Sequence, residues 1–165
     1  MHGRPGERGA SHRTVSDETT HDAGAAPIAP RIAHVALWTR DVERLEVLRA
    51  FYERHFGARA GELYRSARQP GFASYFLGFA TGAQLELMTL PDGAASAREP
   101  YDREGARPGY AHLALSLGST AAVDALTARL GAEGVHVLSP PRWTGDGYYE
   151  SVVADPDGNV VELTA

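Results

Sequence analysis

The chain has 165 residues, 43% hydrophobic and 22% charged, a balance that suits one ordinary globular domain. Its net charge of −5 argues against a nucleic-acid backbone as partner. With no cysteine there are no disulfides, thiolate nucleophiles or cysteine-ligated zinc; with every basic residue an Arg, lysine Schiff bases and phosphate-loop lysines are gone too.

Residues 1–30 hold one Val, one Ile and no aromatic residue among Gly, Pro, Ser, Thr and mixed charges. Such a stretch cannot bury enough apolar surface to offset its ordering entropy, so a disordered tail is expected. It has no apolar signal-peptide core, and Glu7, Asp17, Glu18 and Asp22 do not suit a transit peptide. No stretch reaches the length of a transmembrane helix, so no membrane association and a cytoplasmic location are expected.

From residue 31 onward the chain repeats itself. RIAHVALWT at 31 matches GYAHLALSL at 109, and QLELMT at 84–89 matches VVELTA at 160–165. His34 lies 52 residues before Glu86, and His112 lies 50 before Glu162. The repeat suggests a duplicated βαβββ unit, an α+β fold with modules at 31–90 and 109–165 and a Pro-, Gly- and Arg-rich connector at 91–108.

In chain order, alternation predicts a strand at 31–38 and Asp41 caps a helix running to about His55, with Gly57 as its stop. Strands follow near 60–66, 72–80 and 83–90, the last two joined at Thr81-Gly82. The second module predicts a strand at 109–116, a helix from Thr120 to Leu130 with Gly131 and Gly134 beyond it, and strands near 135–138, 148–154 and 159–164. Asp155-Pro156-Asp157-Gly158-Asn159 is a hairpin turn whose carboxylates need no other role. His55 is expected to interact with its helix dipole, and His136 to face solvent.

Alternation also sorts side chains by face. His34, His112, Glu86 and Glu162 each sit between apolar neighbours, so the four polar groups point to concave faces and the apolar ones to the helices. Two Glu on a concave surface repel one another and lose hydration unless a cation lies between them. Two imidazoles and two carboxylates suit one divalent ion (Ni, Zn, Co, Mn or Fe) with open positions for water.

The opening AHVALWTRDVERLEVLRAFYERHFGA, QLELM, GYAHLALSLGS and DPDGNVVEL together resemble the vicinal oxygen chelate superfamily. It includes glyoxalase I, extradiol dioxygenases, methylmalonyl-CoA epimerase and the fosfomycin and bleomycin resistance proteins. The resemblance covers residues 31–165 and implies two tandem βαβββ modules forming a partly open mixed barrel around a metal. It puts His34, Glu86, His112 and Glu162 on the four ligand positions, and Glu at 86 singles out glyoxalase I-like members. Dioxygenases and fosfomycin transferases need only the equivalents of His34, His112 and Glu162, and epimerases usually carry Gln at 86.

The implied reaction is that of a lyase or isomerase. The metal polarises the oxygens of a thiol adduct of an α-oxoaldehyde, or of a related carbonyl compound, and a carboxylate moves a proton through an enediolate. Glu162 is the expected base, with Glu86 as the other candidate. A homodimer is implied by the resemblance, with the modules paired either within one chain or between two. Two departures stand out. Trp38 replaces the Arg that usually meets the thiol cofactor, and Leu90 replaces a frequent Asn. Trp38, Met88, Trp143, Tyr148 and Tyr149 are the candidate substrate contacts; the last three lie with Asp146 and Glu150 in the segment 140–153, read as a loop that Gly145 and Gly147 let turn sharply. The alternatives are a drug- or toxin-binding resistance protein of the same fold, and an Fe(II) extradiol-type dioxygenase.

Overall fold

The structure is a computed structural model that describes residues 30–89 and 109–165. The expected tail, the connector and Leu90 lie outside the described residues.

The first module opens with β1 (His34–Thr39) and α1 (Val42–Phe56). Asp41 caps α1 by accepting from the Arg44 amide at 2.8 Å, and Gly57 ends it in the left-handed region at φ 64°. Leu45, Leu48, Phe51 and Tyr52 form its buried stripe. The strand expected near 60–66 is broken into two short pieces, β2 (Arg59–Ala60) and β3 (Tyr64–Arg65). Both pair with β4 (Ala73–Gly78), but between them only the Gly61 amide keeps a bond, to Phe76 O. β5 (Gln84–Thr89) then inserts between β4 and β1, antiparallel to the first and parallel to the second.

The second module repeats this order. β6 (Leu113–Ser116) leads to α2 (Thr120–Ala132), capped by Ser119. β7 (Val137–Trp143), β8 (Tyr149–Ala154) and β9 (Val160–Thr164) follow. The sheet order is β6-β9-β8-β7, with β6 and β9 parallel. The two mixed sheets, each carrying one helix, make an α+β fold in which neither sheet closes on itself.

Three expectations are corrected. The strand read at 109–116 starts only at Leu113, which is in register with Val161 of β9; His112 stands one residue ahead of it. Gly131 lies inside α2, whose last turn continues to Ala132. Pro140 and Pro141 belong to a strand rather than a loop. They are accommodated because β7 is an edge and its register with β8 shifts twice along this stretch.

The core is shared between the modules: Leu37, Leu45, Leu48, Leu77, Leu85 and Leu87 from the first, and Val123, Leu130, Val153, Val161 and Leu163 from the second. Among the described residues no helix is long and apolar enough to cross a membrane.

Candidate metal-binding half-sites

Period-two alternation delivers the polar residues to one face of each sheet, as expected. In β1, Val35, Leu37 and Thr39 turn inward, whereas His34, Ala36 and Trp38 are exposed. In β5, Leu85, Leu87 and Thr89 are buried, which puts Glu86 on the face of β1's His34 and opposite Ala36. His34 Nε2 and Glu86 Oε2 are 3.7 Å apart. In the second module, Val161 and Leu163 are fully buried and Glu162 faces the other way, with His112 Nε2 3.4 Å from its Oε2. Each imidazole keeps over two-fifths of its side chain exposed, while Glu86 and Glu162 are 13% and 18% exposed. Every His–Glu pair therefore has a recessed carboxylate and an accessible ring.

These separations fit a shared cation. Ligand atoms about 2.0–2.2 Å from a divalent ion stand roughly 3 Å from each other. An N/O donor pair at 3.4–3.7 Å needs only a small inward movement of each side chain. The two pairs, however, do not meet. Among the described residues, no group of three or more His, Asp or Glu side chains converges as a metal site within one chain. Of the four ligands expected from the repeat, the structure brings together His34 with Glu86 and His112 with Glu162.

The surroundings of the halves differ. On the first sheet Phe76 packs edge-on against the His34 ring at 5.4 Å, and Trp38 stands beside Met88 in register. On the second, Glu150 of β8 lies near Glu162 and Arg142 of β7 pairs with Glu150 at 3.0 Å. Burial, and then the charge of Glu150, push the Glu162 carboxyl above its ordinary pKa, against the pull of His112 and Arg142. Glu150 was grouped by sequence with the aromatic segment; its place beside Glu162 follows from the β8–β9 register, which alternation within one strand cannot reveal.

The other expected contacts divide. Trp38 and Met88 share the His34 face. Tyr149 does not share the Glu162 face: it alternates with the buried Ser151 and Val153, and its hydroxyl donates to Asp124 of α2 at 2.7 Å. Trp143 pairs with it in register, ring to ring at 5.1 Å, and so lies on the helix side as well. Tyr148 is exposed in the Thr144–Tyr148 turn. The expectation that Trp143 and Tyr149 line a ligand mouth is corrected accordingly. His136 is exposed, as read. His55 packs against Phe51 and Phe56 at the end of α1, and burial lowers its pKa from the ordinary value.

The turn carboxylates have a role the sequence did not show. Asp157 accepts from Arg44 Nε at 2.8 Å and from the Thr39 hydroxyl. Asp155 accepts from the Tyr52 hydroxyl. The 155–159 turn thus fastens the second module to α1 of the first.

The Glyoxalase/Bleomycin resistance protein/Dioxygenase superfamily model matches residues 31–163. This chain belongs to that superfamily. A relative, an uncharacterised protein of Pseudomonas aeruginosa, is 31% identical over 140 residues, covering 83% of this chain and 89% of its own. Among solved structures, the glyoxalase/bleomycin resistance protein/dioxygenase domain from Frankia sp. EAN1pec is 22% identical with a TM-score of 0.66, over 83% of this chain and 98% of that one. Glyoxalase I from Zea mays is 21% identical with a TM-score of 0.61, over 81% of this chain and 44% of the maize chain. At these identities the solved structures establish the superfamily fold.

Proposed function

We propose that this superfamily member is a divalent-metal-dependent lyase or isomerase of the glyoxalase I type. It moves a proton between adjacent carbons of a small hydroxy-carbonyl compound such as a thiol adduct of an α-oxoaldehyde. The observation that carries the reading is the pair of His–Glu half-sites, His34–Glu86 and His112–Glu162, at matching positions of the two modules. Because neither half holds enough ligands alone, two copies of the chain complete each other, one giving its first module and its partner the second. A homodimer of this kind contains two sites.

When bound, the metal (Ni, Zn, Co, Mn or Fe) would hold the neighbouring oxygens of the substrate and stabilise charge developing on them. The imidazoles of His34 and His112 would hold the ion as nitrogen donors. Glu162 removes the proton from one carbon and returns it to the next, with Glu86 as the alternative base.

Metal analysis of the protein purified without chelators tests this, beside Glu86→Gln and Glu162→Gln. The wild type is expected to carry close to one ion per chain, and each variant to lose at least about tenfold in metal affinity. A wild type that holds no metal, and whose melting temperature and turnover of methylglyoxal–thiol adducts ignore added metal, would refute it.

A further inference from the structure

Four large aromatic side chains crowd the ligand-bearing face of the first sheet. Trp38 is 50% exposed, Tyr64 56% and Phe76 38%. Phe72 bridges two of them, its ring 6.3 Å from Trp38 and 6.3 Å from Tyr64, edge-on to both. Phe76 stands edge-on to His34. The strand registers show why they gather. Trp38 lies beside Met88, Met88 opposite Ser74, and Ser74 opposite Tyr64, so one row of cross-strand neighbours runs from β1 to β3. Phe76 lies opposite Glu86 in the next row. The aromatic row therefore begins one strand step from the metal-binding pair.

Left in water, this much ring surface is unfavourable by roughly 25 cal/mol for each Å². The core has not taken it in, although the opposite face of the same strands buries Leu37, Leu77, Leu85 and Leu87 nearly completely. Edge-on packing fixes the ring orientations and leaves ring faces free for a flat partner.

Charge narrows the choice of partner. Among the described residues, this row on the first sheet includes no Arg, and the Arg next in β3, Arg65, acts on Glu46 of the helix side. On the second sheet Arg142 is already engaged by Glu150 and by the Ser139 hydroxyl. An anionic ligand arm laid along this row would meet Glu86 first, because the exposed Arg on the same face, Arg59 opposite Gly78, stands out on β2, two strands from Glu86; an uncharged ring meets a matching surface.

We propose that the substrate carries an uncharged aromatic ring next to its vicinal oxygens, and that Trp38, with Phe72, Tyr64 and Phe76, forms the shelf on which that ring lies. This rests on the metal-site reading for the placement of the oxygens, whereas the ring contact itself needs no metal.

The test uses two uncharged hydroxy-carbonyl probes differing in one group: 2-hydroxyacetophenone, which has a phenyl ring, and hydroxyacetone, which has a methyl. Binding is followed calorimetrically with the metal-loaded protein and again after chelation. Tryptophan fluorescence in a Trp143→Phe background reports on Trp38 alone, since the chain has two Trp.

The expected result is a preference of about tenfold or more for the phenyl probe, with quenching of Trp38. Trp38→Ala reduces the preference to within about twofold, and Trp38→Phe restores most of it. Equal affinities for the two probes, a preference that survives Trp38→Ala, or no binding of either probe would overturn the proposal. So would dissociation of the dimer on Trp38→Ala, which makes the shelf a subunit contact. The two readings fail separately. Metal-dependent binding of both probes with equal affinity leaves the metal centre and removes the shelf. A phenyl preference unchanged by chelation, in a chain that binds no metal, leaves the shelf and removes the metal centre.

Discussion

The Tyr52 hydroxyl donates to Asp155 Oδ2 at 3.0 Å, joining the middle of the first helix to the last turn of the chain across 103 residues. Both partners are buried, and Asp155 also accepts from the Asp157 and Asn159 amides and from the Asn159 side chain. Removing the donor is mild and removing the acceptor is not. Tyr52→Phe is expected to lower the unfolding free energy by about 1 kcal/mol, one hydrogen bond's worth. Asp155→Ala takes the acceptor from the buried Tyr52 hydroxyl and removes the bonds from Asp157 and Asn159 as well, and is expected to cost about 3 kcal/mol or more. Denaturant titration of the two variants checks the ranking; equal losses would mean that the turn, not the cross-module bond, is what Asp155 supports.

The same carboxyl gives a pH dependence with a definite sign. Burial raises the Asp155 pKa above its ordinary value of 3.8, outweighing the hydrogen bonds from Asn159, Tyr52 and Asp157 that favour its charge. The folded chain therefore holds this proton more tightly than the unfolded chain. Its contribution to stability is full below 3.8 and is lost as pH rises through the raised folded value. Glu46 runs the other way: the Tyr75 hydroxyl and Arg49 lower its pKa from 4.5, so its contribution is present above 4.5 and lost as pH falls through the lowered value. Comparing the wild type with Asp155→Asn isolates the first effect, because the amide is neutral throughout. The stability advantage of the wild type over this variant should shrink as pH rises from 3.8 through the raised folded value. A constant or growing advantage would show that hydrogen bonding to the carboxylate prevails over its burial.

What the sequence made legible was local or repeated. Strand alternation around His34, Glu86 and Glu162 depends on nearest neighbours, so their common faces followed from period two alone, as did the caps at Asp41 and Gly57. Long-range packing left no such mark. Asp155 and Asp157 read as turn residues because Tyr52, Arg44 and Thr39, the groups they engage, lie more than 100 positions away. Pro140 and Pro141 read as a loop because nothing local announces an edge position. Tyr149 turned to Asp124 because the β8 pleat puts it with Ser151, a phase that a run of polar and aromatic residues conceals. The separation of the two half-sites belongs to the same class. Repeat spacing shows which residues match, and only packing shows that the two pairs do not converge within one chain.

That separation carries a stoichiometric prediction for the exchanged dimer. His34→Ala spoils the first half-site and leaves His112–Glu162 whole; His112→Ala does the reverse. Either variant alone forms dimers in which both sites lack a nitrogen ligand, so each is expected to be nearly free of metal and activity. In a hybrid dimer, one site combines both damaged halves, but the other joins the intact His34–Glu86 of one chain to the intact His112–Glu162 of its partner. Random reassociation of an equal mixture makes half of the dimers hybrid, with one good site in two. Co-refolding the inactive variants should therefore recover about a quarter of the wild-type metal content and turnover. A site built within a single chain gives no recovery at any mixing ratio, since every chain keeps its own lesion. The fraction regained thus decides between the two arrangements without any knowledge of the substrate, provided that metal binding is scored alongside activity.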